Sequence, residues 1–307
     1  MRILAALALL TPSAAFLLPS GCLLTLQPSL SRQVSCLGSV PQLRAGPIIC
    51  SSKPSLGIRP TLLARGGAAG GGSDEGRFVT DEDERVAEEL QEWLEDVFME
   101  VDYEKALDAA DLEEDPRFEQ DEADAGSALD EFTYGEMDLA FFLAILRHLD
   151  PPPTASFLDI GSGRGQLCLA AARVRPWSAC RGVELMPEVL HIGRGALEIA
   201  DPSLLKTDAA ALELLLGDMY AEETQALYTA SDVVFVYATC LSSEDGKTLK
   251  RLSDALAASL RPGSRVVIVN KELDTSLPFT LTDTLIGPNP DSVNADARAF
   301  VYTFEGQ

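Results

Sequence analysis

The sequence predicts an α/β fold over residues 130–307: a Rossmann-like sheet of seven strands with flanking helices, preceded by an acidic helical segment. Three observations predict it. Short apolar runs alternate with stretches of helical periodicity along the C-terminal half. A glycine-rich turn, Gly161-Ser162-Gly163-Arg164-Gly165, joins the first of these runs to the helix after it. An acid lies in, closes or follows each of the first three runs, at Asp159, Glu184 and Asp218.

The elements follow in order. Met137 to Leu149 reads as an apolar helix, which Pro151-Pro152-Pro153 ends. Ser156 to Ile160 is a short buried strand, and Leu167 to Val174 is the helix beyond the glycine turn. A second strand, Ala179 to Val183, ends in Glu184, and Pro187 opens a helix that runs through Ile199. The third strand is Leu212 to Leu216, followed by Gly217-Asp218-Met219-Tyr220. The fourth is Asp232 to Val236, leading into Tyr237-Ala238-Thr239-Cys240 and then a helix from Asp245 to Leu260. Arg261-Pro262-Gly263-Ser264 turns the chain into a fifth strand, Arg265 to Asn270. Phe279 to Leu285 and Ala297 to Phe304 form a closing antiparallel hairpin.

Upstream, composition divides the chain into three further parts. Residues 1–15 read as a signal peptide, with Arg2 before the apolar run Ile3 to Leu10 and small residues Ser13 and Ala15 at its end. Residues 16–72 hold no acid and are rich in Ser, Leu, Pro, Gly and Arg, which is transit-peptide composition. Residues 73–129 form an acidic helical or disordered segment, with one amphipathic helix expected from Asp81 to Leu107 on the spacing of Val86, Leu90, Trp93, Leu94, Val97 and Phe98. That helix packs its apolar stripe on the domain, or it is a docking or autoinhibitory helix, or an acid patch for a basic partner; Asp111 to Asp124 reads as loop or disorder. The formal charge is −24, so direct binding to nucleic acid is disfavoured, while a basic protein partner would be attracted. The six cysteines show no C-x-x-C pair and there are two histidines, so no metal site is expected. No later stretch reads as a membrane span.

The glycine turn carries the chemistry. Dinucleotide folds use G-x-G-x-x-G, and here Gln166 stands where the third glycine belongs. Asp159, two residues before the first glycine, would repel a pyrophosphate but attract the ammonium and sulfonium of S-adenosylmethionine. Glu184 is placed to accept from ribose hydroxyls, Asp218 from an adenine amine, and Met219 or Tyr220 to pack on its ring.

The junction Ala15-Phe16 and the two-part leader resemble those of algae with complex plastids, which implies a plastid address. Thr133-Tyr134-Gly135-Glu136, Phe157 to Gln166 and Gly182-Val183-Glu184-Leu185-Met186 resemble the non-SET histone-lysine methyltransferases of the telomeric-silencing-disruptor family, and Asp232 to Val236 and Leu260 to Arg265 fit its later blocks. The resemblance covers Asp130 to Leu273 and implies a seven-stranded class I methyltransferase. It implies that Tyr134, Gly135 and Glu136 cover the cofactor, that Asp159, Gly161, Gly163 and Gln166 hold its methionyl part, that Glu184 holds the ribose, and that Asp218 and Met219 flank the adenine. Tyr134, Glu136, Tyr237 and Thr239 are the catalytic candidates. The family carries an Asn-Asn-Phe-like block after the fourth strand, where this chain has Tyr237-Ala238-Thr239. Protein lysine is the expected methyl acceptor. A plastid small molecule and a non-catalytic binding module are the alternatives, and without the leader the histone resemblance implies the nucleus.

Overall fold

Valine, isoleucine, leucine and phenylalanine fill the strand runs, and the strands they form are buried on both faces at the centre of the sheet. The structure is a computed structural model that describes residues 15–17, 23–25, 78–112, 136–243, 245–290 and 296–306. The chain divides into two units, Met1–Ser73 and Asp74–Gln307. In the first, Ala15–Leu17 pairs antiparallel with Leu23–Thr25. The rest of the expected signal and transit segments lies outside the described residues, as do the expected loop Asp111 to Asp124 beyond Leu112 and the segment with Tyr134 and Gly135.

In the second unit β1 (Ser156–Ile160), β2 (Ala179–Glu184), β3 (Leu212–Leu216), β4 (Val233–Tyr237) and β5 (Arg265–Val269) are parallel. β6 (Phe279–Gly287) and β7 (Ala297–Phe304) form an antiparallel hairpin, and β7 pairs with β5. The strand order is β3-β2-β1-β4-β5-β7-β6, the arrangement of a Rossmann-like class I methyltransferase. The order reverses between β1 and β4, which opens a crevice at their C-terminal ends. Strand alternation sends Leu158 and Ile160 to one face and Phe157 and Asp159 to the other. Leu158 and Ile160 join a core with Val234, Val236, Leu252, Leu256 and Ile268. Phe157 packs edge-on or tilted against Phe142, Trp177 and Phe235.

Seven helices are described: α1 (Asp81–Met99), α2 (Tyr103–Ala110), α3 (Leu139–Leu149), α4 (Gln166–Val174), α5 (Pro187–Ile199), α6 (Glu222–Thr229) and α7 (Lys250–Ser259). Three differ from the sequence expectation. The single helix expected over Asp81 to Leu107 is two helices, because Asp102 accepts from the Lys105 amide and caps a new start. The helix expected from Asp245 begins only at Lys250. The Asp245 carboxylate accepts from the amides of Lys247 and Thr248, and Thr248 bridges to Glu272, which holds this stretch out of helical geometry. Helix α6 was not expected; its weak apolar periodicity hides it, and Tyr228 and Thr224 anchor it. The fourth strand is shifted by one residue, to Val233–Tyr237.

Helix α1 starts with a capping box between Thr80 and Asp83, and Arg147 of α3 donates to the same Asp83 carboxylate at 2.8 Å. Its buried stripe, Leu90, Leu94, Val97 and Phe98, packs toward α3, α4 and α5. Helix α1 thus lays an apolar face on the domain, with Asp83 buried beside Arg147 and most of its other acids exposed. No described helix is long and apolar enough to cross a membrane.

Candidate active site

The turn from β1 to α4 is held in a shape that only glycines adopt without strain. Gly161, Gly163 and Gly165 have φ of 72°, 56° and 76°. The amides of Gly161 and Ser162 both donate to the carbonyl of Val183 at 2.9 Å, tying the turn to the end of β2. From the other side Gly193 of α5 lets the turn approach closely: a Cβ there would lie 2.5 Å from the Arg164 carbonyl oxygen. Gly165 opens α4 with no side-chain cap, so no capping side chain takes the first amides of that helix.

A cleft lies beside this turn, with about 370 Å³ of free space counting its open mouth. It is lined by Glu136, Met137, Asp159, Gly161, Ser162, Gly163, Gln166, Leu167 and Tyr237. The structure thus brings together six sequence-predicted residues: Glu136, Asp159, Gly161, Gly163, Gln166 and Tyr237. Asp159 is 2% exposed, and among the described residues nothing donates a hydrogen bond to its carboxyl. Burial, and then the neighbouring charge of Glu184, push its pKa well above the ordinary carboxylate range.

Glu184, Asp218 and Met219 lie outside the lining of this cleft. Glu184, 7% exposed, accepts from the Gly163 amide at 2.7 Å and from the amides of Leu185 and Met186 at 2.8 and 2.9 Å. It therefore braces the glycine turn and is close enough to Asp159 to act on it electrostatically. Asp218 accepts from the Tyr220 amide at 2.9 Å, and the carbonyl of Met219 accepts from the buried Tyr228 hydroxyl at 2.5 Å. The Tyr220 ring carries the Arg251 guanidinium at 3.7 Å. Thr239 accepts from the Asn270 side-chain amide at 2.9 Å.

Sequence reasoning missed Met137, Ser162 and Leu167 in the cleft lining, and two polar residues beside it, Asn270 and Arg164. Asn270 directly follows β5 at φ 67°, and its side chain also accepts from the Arg298 amide at 3.0 Å. An asparagine directly after a buried strand was the available signal, because asparagine tolerates the left-handed region better than most residues. Arg164 lies inside the glycine turn, paired with Glu136 at 2.5 Å and bonded to Gln166 at 3.0 Å. A long cation in a turn of small residues was the signal there.

A buried carboxyl without a donor is costly unless a cation meets it. The floor of the cleft therefore fits a ligand with an ammonium group, and the glycine turn leaves room for its backbone-close approach. Among the described residues no group of His, Cys, Asp and Glu is arranged to hold a metal.

The sequence profile of the family described as "Histone methylation protein DOT1" matches residues 124–282, more than half of the chain. No curated protein matches the chain by sequence. Solved structures that resemble it include an RNA methyltransferase from Salinibacter ruber in complex with S-adenosyl-L-homocysteine, at 21% identity and a TM-score of 0.42, covering 56% of this chain and 95% of that one. A SAM-dependent methyltransferase from Geobacter sulfurreducens, also with S-adenosyl-L-homocysteine, has 13% identity and a TM-score of 0.39, over 58% and 97% of the two chains. A SAM-dependent methyltransferase from Methanosarcina mazei has 11% identity and a TM-score of 0.42, over 53% and 98%. On the profile match and the architecture above, the chain belongs to the DOT1 family of histone methylation proteins and is an S-adenosylmethionine-dependent methyltransferase.

Proposed function

We propose that this protein methylates the side-chain amine of lysine in a protein substrate. Membership of a histone methylation family carries the reading. The charge distribution along the sequence supports it: 25 of the 48 acids lie in residues 74–131, which would attract a basic protein segment.

S-adenosylmethionine, when bound, supplies a methyl group on a positively charged sulfur. In this reading Asp159 would face the methionyl ammonium, and Gly161, Gly163 and Gln166, which line the same cleft, would hold that end. The family resemblance would put Glu184 near the ribose and Asp218 and Met219 beside the adenine; in the structure both Glu184 carboxylate oxygens accept from backbone amides, so its part is to brace the glycine turn that borders the site. The resemblance implies that Tyr134, Gly135 and Glu136 would cover the cofactor; of the three, Glu136 lies among the described residues, at the cleft wall. The acceptor enters past Tyr237 and Thr239. The Tyr237 ring excludes water from the incoming amine, and desolvation lowers a lysine's pKa so that it arrives neutral. Aromatic faces also favour the cationic product. Alignment of amine and methyl then carries much of the rate, and no dedicated base is required.

The two-part leader supports a plastid address, in which case the acceptor is a plastid protein and not a histone. Tyr237-Ala238-Thr239, in place of the family's acceptor block, favours a second reading, a plastid small molecule as acceptor. One experiment separates them. The protein is incubated with methyl-labelled cofactor and plastid extract, and label is sought in protein hydrolysates and in solvent extracts. Methyl-lysine in the hydrolysate is the expected result; label confined to the solvent extract overturns the lysine reading in favour of the second.

A further inference from the structure

Arg164 connects parts of the molecule that the proposed chemistry leaves unconnected. It sits in the glycine turn, yet its guanidinium lies over the ring of Phe98, 4.1 Å from the centroid, at the end of α1. The same guanidinium pairs with Glu136 at 2.5 Å and bonds Gln166 at 3.0 Å, and both of those side chains line the cleft. Phe98 is itself fixed. Its ring is buried, and its carbonyl accepts from the Tyr103 hydroxyl of α2 at 2.8 Å. The Arg164 backbone is gripped too, with Gly193 of α5 against its carbonyl. Helix α2 packs along that same α5.

We infer that Arg164 is a positioning residue through which the helix pair α1–α2 sets the cofactor cleft, holding Glu136 and Gln166 at its wall from the ring face of Phe98. The acidic segment is then a working part of the cofactor site. Arg164 acts through its neighbours: one terminal nitrogen, Nη2, donates to both Glu136 and Gln166 while the guanidinium plane lies over the Phe98 ring, and that planar face is what a lysine lacks. Glu136 is the counter-ion of this fork, which makes it a wall-setting group. The inference rests on the reading that this cleft receives S-adenosylmethionine.

The test uses the full chain and S-adenosylhomocysteine as probe, with affinity measured by calorimetry well below the melting temperature, where circular dichroism matches the parent. Arg164→Met is expected to weaken binding about tenfold or more, and Arg164→Lys to recover part of that loss. Phe98→Leu, which keeps apolar volume but removes the ring face, is expected to weaken binding several-fold in the parent and to add nothing to Arg164→Met. A packing role alone would lower the melting temperature and leave this coupling at zero. Should Phe98→Leu not fold, Glu136→Gln takes its place in the same cycle, with the same expected non-additivity. Binding by Arg164→Met within about twofold of the parent, or effects that multiply fully, overturns the inference while leaving the cofactor site in place. A parent protein that does not bind the probe overturns the cofactor reading and this inference with it.

Discussion

Replacing Asp159 by asparagine should change affinity and stability in opposite directions. The side chain is 2% exposed, with no donor among the described residues, and its pKa is pushed well above 3.8 by burial first and by Glu184 second. A carboxyl whose folded-state pKa exceeds its unfolded value loses the fold stability as pH rises from the unfolded value through the folded one. Near neutral pH the unliganded parent therefore carries a strained group that Asp159→Asn relieves. Asparagine keeps a polar side chain but removes the acid, so the gain is the titration cost alone, about 1.4 kcal/mol for each unit by which the pKa is raised. At roughly 2–4 °C per kcal/mol for a domain of this size, the variant should melt several degrees higher. The gain should shrink as the pH falls toward 3.8. Binding should move the other way. A hydrogen bond to a charged group contributes about 1.5–3 kcal/mol, so S-adenosylhomocysteine, which keeps the methionyl ammonium, should bind roughly ten- to 150-fold more weakly. The parent's affinity should also rise with pH as Asp159 ionises, and the variant should lose that slope. Calorimetry and thermal melts across the pH range read both effects. A variant that binds within about twofold of the parent and melts no higher would refute the assignment of Asp159 as a buried cation receptor.

Three further outcomes follow from the same geometry. Gly193→Ala should destabilise by about 1–3 kcal/mol, because its Cβ meets a backbone oxygen that cannot move aside, and should also weaken cofactor binding; Gly195→Ala, whose Cβ meets only a Val101 methyl at 3.1 Å, is the milder comparison in thermal melts. Burial opposes ionisation of Asp83, but bonds from Arg147 and Thr80 outweigh it and hold its pKa below 3.8, so the stability it contributes is present above that value and lost as the pH falls through the lower folded one. Fluorescence of Trp93, whose ring carries Arg173 at 4.4 Å, should report α1 loosening in that acid range, and Asp83→Asn should loosen α1 at neutral pH as well; an α1 signal identical in variant and parent at neutral pH would refute this. Asn270→Ala should leave S-adenosylhomocysteine affinity unchanged and slow methyl transfer, since Thr239 loses its hold while the cleft floor is untouched; equal turnover in variant and parent would exclude Asn270 from the acceptor side.

Much of the site was legible in the sequence because it is local. Asp159, the glycine turn and Gln166 lie within eight consecutive residues, and a tight turn after a buried strand needs those residue types in that order. Most strand boundaries held to within a residue, since apolar period and flanking turns mark them directly. Tyr134 and Gly135 lie outside the described residues, so their expected role as a cover rests on the resemblance.

The sequence by itself determined the strand–turn–helix that makes a cofactor site, the acids near the ends of β1, β2 and β3, and the family. Tertiary structure alone decided which of those acids face the cleft: Asp159 lines it, while Glu184 turns its carboxylate into the backbone of the glycine turn. It alone split the acidic helix at Asp102 and placed Phe98 under Arg164, residues with no local pattern in common. The physical reason is range. Backbone periodicity and turn chemistry act over a few residues and are written in the chain, whereas the direction in which a buried charge points is set by whichever distant partner the folded packing brings to it.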